Sequence, residues 1–355
     1  MMYGKIRRYI SSGLIGTLFV MLAVVNFADA KAITLTLADS TAPVGLRGAG
    51  VKILVEEIEK HTNGQVKIQV HWGGSLLKAK EILRGIQDGI VDIGYINSNY
   101  YPKQMRAFGA FALFPKGPKK FSNMSWFYAK SFEEIPEMKA ELEKINIHPI
   151  HTNTVLPVAV VSTKPFTKFE DFKDKKIRAA SRWWLGQLKG AGAIPVSIPW
   201  GDCYMALQTG TIEGVYTNRD GEHRTKLDEV AMNIFTMKEM WIGVPFIYAM
   251  NTDKWNSLPE DIQNQITAAG KSAALRFEQL YNNEWEKIEA AQKKMGATIT
   301  AASPSDIEKW VTMPAIKELQ DVWVKEANEA GIKNADQVLL KMKALLAEAM
   351  ERDSK

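Results

Sequence analysis

Arg178 closes the run Lys175-Lys176-Ile177-Arg178-Ala179-Ala180, which reads as a short strand. Twenty-two residues after it, Trp200 opens the segment Trp200-Gly-Asp-Cys-Tyr-Met-Ala-Leu-Gln-Thr-Gly-Thr-Ile-Glu-Gly214. That segment reads as a strand end, a helix, a glycine-capped turn and a new strand. A guanidinium fixed at a strand end beside such a turn is a cation facing a pocket, and its planar fork matches a carboxylate. The alternative role for Arg178 is a surface salt bridge at a strand end. Patterns for other chemistry are weaker. Gly45-Leu-Arg-Gly48-Ala-Gly50 lies where a phosphate loop would sit, but it is not Gly-x-Gly-x-x-Gly and has no Gly-Lys-Ser/Thr, so a flexible helix entry is expected. His148 and His151 would point to opposite faces of an extended chain, and with five histidines in all no metal site is expected. Cys203 has no evident partner base, and its helix position suits a small buried side chain. Neither Gly-x-Ser-x-Gly nor His-Glu-x-x-His occurs, which counts against a secreted hydrolase or lyase using the same cleft.

The elements needed to hold such a site are legible as two α/β blocks. The first runs through a strand at 33–38, a helix at about 49–60, a strand at 66–70, a helix at about 78–87 and a strand at 91–96. Strands joined by helices of that length must be parallel, and open parallel sheets bind ligands beyond the carboxyl ends of their strands. The second block starts near Leu156, with strands at 157–162, 176–180, 194–198 and 214–217 and helices at about 182–191 and 202–209. Val244-Pro-Phe-Ile-Tyr-Ala-Met250 reads as a return strand into the first block. Ser257-Leu-Pro-Glu260 then forms a capping-box pattern ahead of a helix that, unbroken to Gly296, would brace both blocks. Gly270 is its weak point, since glycine costs about 1 kcal/mol in a helix interior, so two shorter helices remain an alternative. Further helices are expected at about 304–329 and 335–351. The predicted architecture is therefore α/β and two-lobed: 31–155 with a return segment at about 243–282 forms one lobe, and 156–242 with C-terminal helices at about 283–355 the other. Small ligands favour the cleft between such lobes.

Lys5, Arg7 and Arg8 precede an apolar run from Leu14 to Val25 and a small-x-small site at Ala28-Asp29-Ala30, the pattern of a cleaved signal peptide over residues 1–30. That run is shorter than the roughly 20 residues a spanning helix requires, so an uncleaved anchor is the lesser alternative. Cleavage removes three basic groups and one acid, so the formal charge falls from +5 to +3, too mild to imply nucleic acid. Cys203 is the only cysteine, so a mature chain in the periplasm would be held together by its core rather than by disulfides.

Four segments, in order, resemble motifs of the extracytoplasmic solute receptors of tripartite ATP-independent periplasmic (TRAP) transporters. They are Gly73-Gly-Ser-Leu-Leu-Lys-Ala-Lys-Glu81-Ile-Leu with Gly89-Ile-Val-Asp-Ile, Lys176-Ile-Arg178, Ala206-Leu-Gln-Thr-Gly-Thr-Ile-Glu-Gly214, and Trp255-Asn-Ser-Leu-Pro-Glu-Asp-Ile-Gln263. The resemblance covers nearly all of the mature chain. It implies a two-lobed periplasmic solute-binding protein of the class II-like type, with no cofactor, no metal and no enzymatic step. Such a receptor closes by a hinge near residues 155 and 242 and hands a small organic acid to TRAP membrane subunits. A receptor that presents its ligand to a sensor kinase is the other possible destination. Arg178 matches the family arginine that pairs with the ligand carboxylate. Val158 falls where the family often has a second arginine, which argues against a dicarboxylate or a sialic-acid-like ligand. Thr217 or Asn218 falls where the family often has a ligand-contacting Asn. Dense aromatics nearby suggest a ligand with an apolar or aromatic body, or a 2-oxo acid. Trp200 is the strongest candidate wall, with Tyr216, Trp241 and one of the pair Trp183-Trp184, here taken as Trp183. Asn97 and Asn99 follow a strand end and could reach the cleft or simply form a turn. Glu81 could take a ligand hydroxyl or amine, or pair with a neighbouring lysine.

Overall fold

The computed structural model describes residues 32–354, so the expected signal peptide lies outside the described residues. Five strands form the first sheet: β1 (Ile33–Ala38), β2 (Val66–His71), β3 (Ile93–Asn97), β4 (Ile147–Asn153) and β10 (Phe246–Asn251), in the order β2-β1-β3-β10-β4. The helices α1 (Gly45–His61) and α2 (Ile82–Gln87) connect its first three strands, which are parallel, as the α/β alternation requires. Asp92 shows how β3 is registered. Its carboxylate accepts the Thr36 backbone N–H at 2.7 Å and hydroxyl at 2.9 Å, tying the entry of β3 to β1. Gly94, in the same segment, lets α2 approach, since a Cβ there would lie 2.4 Å from Ile82 Cγ2.

The second sheet contains β5 (Val158–Ser162), β6 (Lys176–Arg178), β7 (Ile194–Val196), β8 (Gly214–Asn218), β9 (Asn233–Met237) and β11 (Thr298–Ala301), in the order β11-β9-β5-β8-β6-β7. All five residues of β5 are buried, as expected of a strand covered on both faces. The helices between α2 and this sheet are α3 (Arg106–Gly109), α4 (Phe121–Glu134) and α5 (Pro136–Lys144). Within the sheet come α6 (Arg182–Gly190), α7 (Cys203–Gln208), α8 (Arg219–Arg224) and α9 (Leu227–Val230), and α10 (Thr252–Asn256) follows β10. The chain crosses between the sheets from β4 to β5 and again from β9 to β10, which pairs antiparallel with both β3 and β4 as the expected return strand.

The long helix α11 (Glu260–Lys294) is unbroken over 35 residues, about 53 Å at 1.5 Å per residue. It packs on α1 and β4 of the first sheet's layer and on α8 and β11 of the second's, so the alternative of two shorter helices is not realised. Gly270 is there for a close approach rather than a break: a Cβ would lie 2.5 Å from the Ile150 carbonyl oxygen, and the Gly270 carbonyl in turn meets His151 Nδ1 at 3.1 Å. The capping box expected at Ser257 does not form, because Ser257 still belongs to the end of α10 and its hydroxyl donates to Lys254 O. Instead Gln263 reaches back to donate to the Trp255 and Leu258 carbonyls, which gives the Trp-Asn-Ser-Leu-Pro-Glu-Asp-Ile-Gln segment its spacing. The single helix expected over 304–329 is two, α12 (Pro304–Thr312) and α13 (Pro314–Glu329). Pro314 has no N–H to continue the first, and Met313 before it is extended at ψ 141°. Helix α14 (Ala335–Glu351) packs on α4, whereas α13 packs on α6.

Candidate functional site

A cavity of about 620 Å³ opens between the two sheets, within the range of small-molecule sites. Arg178 lines it, at the carboxyl end of β6 and only 4% exposed. Strand alternation places it there. Ile177 packs inward, with its Cδ1 where a Cβ on Gly214 would lie 2.9 Å away, and the next residue emerges beyond the sheet. The Arg178 Nε donates to the Ile198 carbonyl at 3.1 Å, and its Cζ is 5.3 Å from the Trp200 ring centroid. Among the described residues no carboxylate lies within ion-pair distance of it, and burial pulls its pKa below the ordinary arginine value. A desolvated cation without a counter-charge is costly, and an anion entering the cavity would relieve that cost.

The cavity wall also includes Trp200, Tyr216, Thr217, Asn218, Asn97 and Asn99. Their free hydrogen-bonding capacity differs. Asn218 accepts from the Thr217 hydroxyl at 3.2 Å and donates to Asp220 Oδ1 at 2.8 Å, so both ends of its amide are engaged. Asn97 accepts the Asn99 N–H at 3.0 Å, closing the turn after β3, while the Asn99 Nδ2 is buried without a partner. Asn99 thus follows a turn and keeps an unpaired, buried donor beside the cavity.

Three sequence candidates lie off the wall. Trp183 turns away, packed under the Arg182 guanidinium at 4.2 Å; its neighbour Trp184 lines the cavity instead, because successive helical residues diverge by about 100°. Trp241 is core: it stacks on Tyr128 with centroids 5.9 Å apart, and its Nε1 donates to Phe114 O at 2.8 Å. Gly117 makes room for that indole, and Ile242 next to it takes the cavity-facing place. Glu81 precedes α2 and accepts the Lys78 backbone N–H at 2.8 Å, a local turn that leaves its carboxylate outside the cavity.

Sequence reasoning missed Arg47, Tyr95, Asp220 and Arg224, all on the wall. Arg47 sits inside the glycine-rich helix entry. Gly48 and Gly50 there are needed for packing, since their Cβ atoms would meet the Pro43 backbone at 2.5 Å and Asn153 Nδ2 at 2.7 Å. The usable signal was an arginine in the first turn of a helix after a strand, a position exposed to the sheet's carboxyl edge. Cys203, as expected, is buried, and burial raises its thiol pKa. Its Sγ lies 3.6 Å from the Pro199 carbonyl, the contact of a packed thiol rather than a nucleophile. Among the described residues no group of three or more His, Cys, Asp or Glu could hold a metal ion. Nor is any described helix long and apolar enough to cross a membrane.

Solved structures show the same fold. The chain superposes on a marine-metagenome TRAP solute-binding protein specific for aromatic acids, in complex with 3-hydroxybenzoate, with a TM-score of 0.78 at 21% identity, covering 90% of this chain and 99% of that one. A TRAP periplasmic solute-binding protein of Desulfovibrio salexigens with bound orotic acid gives 0.76 at 17% identity, over 89% and 99% of the two chains. In sequence, the C4-dicarboxylate-binding periplasmic protein DctP of Rhodobacter capsulatus is 25% identical over 302 residues, 82% of this chain and 86% of that protein. The ectoine-binding periplasmic protein TeaA of Halomonas elongata is 26% identical over 305 residues, 83% and 85% of the two. Residues 37–326 match the model of DctP, the bacterial extracellular solute-binding proteins of family 7, and the chain belongs to that family.

Proposed function

We propose that this solute-binding protein takes a small organic carboxylate into the cavity between its sheets, with Arg178 as the counter-charge, and delivers it in the periplasm to TRAP membrane subunits. The observation that carries this reading is the pairing of a nearly buried, carboxylate-free guanidinium with open volume. Trp184, Trp200, Tyr216, Ile242 and Phe246 give part of the wall an apolar character suited to the ligand's body. Val158 is fully buried in β5, so no second arginine stands at that strand. The lobes are 31–155 with the return segment at about 243–282, and 156–242 with the C-terminal helices at about 283–355, and closure bends the two crossings near residues 155 and 242. Membership in a family of solute-binding proteins favours a receptor over an enzyme. Relatives and neighbours that bind a C4-dicarboxylate, 3-hydroxybenzoate and orotic acid are consistent with an acidic ligand.

The test is calorimetry on the wild type and Arg178→Ala, using the acid identified by native mass spectrometry of the protein as isolated. Removing one member of a buried charge pair costs about 2–5 kcal/mol, enough to abolish micromolar binding. The expected variant melts like the wild type without ligand and binds nothing. Wild-type affinity in Arg178→Ala would refute the assignment.

A further inference from the structure

Two arginines outside the recognisable motifs share the cavity with Arg178, one from each sheet's layer. Arg47, on α1, holds its guanidinium 3.3 Å from the Tyr95 ring centroid and donates from Nη2 to Asp39 Oδ1 at 2.7 Å. Arg224 ends α8, which follows β8 of the second sheet. Its stem runs against the start of α1, where a Cβ on Gly45 would lie 2.9 Å from Arg224 Cδ. Gly45 is also at φ +66°, so glycine is favoured there twice over. The two guanidinium groups are near enough for Arg47 to act on the charge of Arg224, whereas Cys203 and Tyr100 are the groups that act on Arg178. The cavity therefore has two cationic regions, and the second is built from both sides.

Charge balance decides what the second region can take. Arg47 is paired with Asp39. Burial raises the Asp220 carboxyl above its ordinary value, while the Asn218 Nδ2 and Leu156 N–H that donate to it and the charge of Arg224 act the other way and favour its ionised form. Three arginines against two aspartates leave one uncompensated positive charge, and Arg178 carries it. Lys78 and Lys80 also touch the wall but are exposed, where water screens them. One carboxylate at Arg178 completes the balance, and a second would leave a net negative charge in a desolvated space. Yet the Arg224 guanidinium donates no hydrogen bond among the described residues, and Arg47 meets Asp39 through Nη2. They call for oxygen without charge.

We propose that the ligand is a monocarboxylate carrying a neutral acceptor oxygen at its far end, read jointly by Arg47 and Arg224. This rests on the assignment of the carboxylate to Arg178. Because its two donors come from different sheets' layers, the acceptor is fully met only when the halves are together, so recognition of that oxygen also favours the closed form.

Two trios of compounds test it by calorimetry: benzoate, 3-hydroxybenzoate and benzene-1,3-dicarboxylate; and pentanoate, 4-oxopentanoate and pentanedioate. In at least one trio the acceptor-bearing monoacid should bind about tenfold or more tighter than both companions, the scale of hydrogen bonds to a charged donor. In Arg224→Met that gap should shrink to about threefold or less, whatever the change in the parent acid's own affinity. The inference is overturned if the members of each trio bind equally or not at all, if the diacid is the tightest in both, or if Arg224→Met keeps the gap. Should that variant not fold, the wild-type ranking alone decides. Arg178→Ala separates the two readings: loss of every compound supports the carboxylate assignment whatever the oxygen preference, and retained binding overturns both.

Discussion

Arg178 and Arg219 are both buried and neither has an ideal ion pair, yet their surroundings differ. Arg219 is fully buried at the start of α8, and none of its guanidinium nitrogens makes a hydrogen bond. Its charge is nevertheless compensated. Glu289 lies 3.8 Å away, Asp228 shares its pocket, and the Trp285 ring lies 4.5 Å from its Cζ. Gln292 of the long helix ties the acids together, donating to Glu222 at 2.6 Å and Asp228 at 3.1 Å. Arg178 has open volume in front of it and no acid beside it. Burial and missing hydrogen bonds alone thus do not mark a binding arginine. The mark of the arginine that meets a ligand's charge is a charge left unbalanced toward space that a solute can fill.

The comparison breaks most visibly at Arg219. Arg219→Ala leaves the buried Asp228 and the partly buried Glu289 without their cation, and a loss of about 3–5 kcal/mol of stability is expected in chemical denaturation, with ligand affinity of the folded fraction intact. A variant as stable as the wild type would mean that this network is not electrostatically coupled. Arg178→Lys is the next largest effect. A point charge replaces a bidentate fork, so affinity should fall about tenfold or more while the melting temperature holds. Equal affinity would show that the ligand needs only a positive field. Trp184→Ala should weaken binding by roughly 1–2 kcal/mol through the loss of an apolar wall, and Trp183→Ala should leave affinity unchanged while lowering stability. The reverse pattern in titrations of the two variants would exchange their roles.

The smallest effect is a pH dependence. Burial raises the Glu222 carboxyl well above its ordinary value, so the folded chain keeps a proton that the unfolded chain has released. That contribution is full below the ordinary carboxylate range and is lost as pH rises through the raised value. Wild-type stability should therefore fall with rising pH relative to Glu222→Gln, measured as melting temperatures across pH 4 to 8. A constant difference between the two would sink the buried proton.

Most elements of the two sheets were legible in the sequence, because strands such as 33–38 and 66–71 carry a period of two and the helices between them a period near 3.6. The segment from 98 to 155 was not. Phe108, Phe111, Phe121, Phe127 and Tyr128 are almost wholly buried there, and with apolar residues on nearly every side no period survives. Residues 106–144 fold as α3, α4 and α5 because neighbouring elements cover them, which no local pattern reports. The edge strand β11 was missed for the opposite reason: its residues are half-buried or exposed and pair only with β9.

By itself the sequence determined the alternation of strands and helices, the return strand and the position of Arg178, since each depends on periodicity and on residues close along the chain. Which ring of Trp183-Trp184 faces the cavity, and that Arg47 and Arg224 both line it, were decided only by tertiary structure. Those facts depend on how helices are rotated and how closely α8 approaches α1 at Gly45, distances set by side chains far apart in sequence. Charge balance is likewise a property of a place in space, and a chain read residue by residue has no such place until it folds.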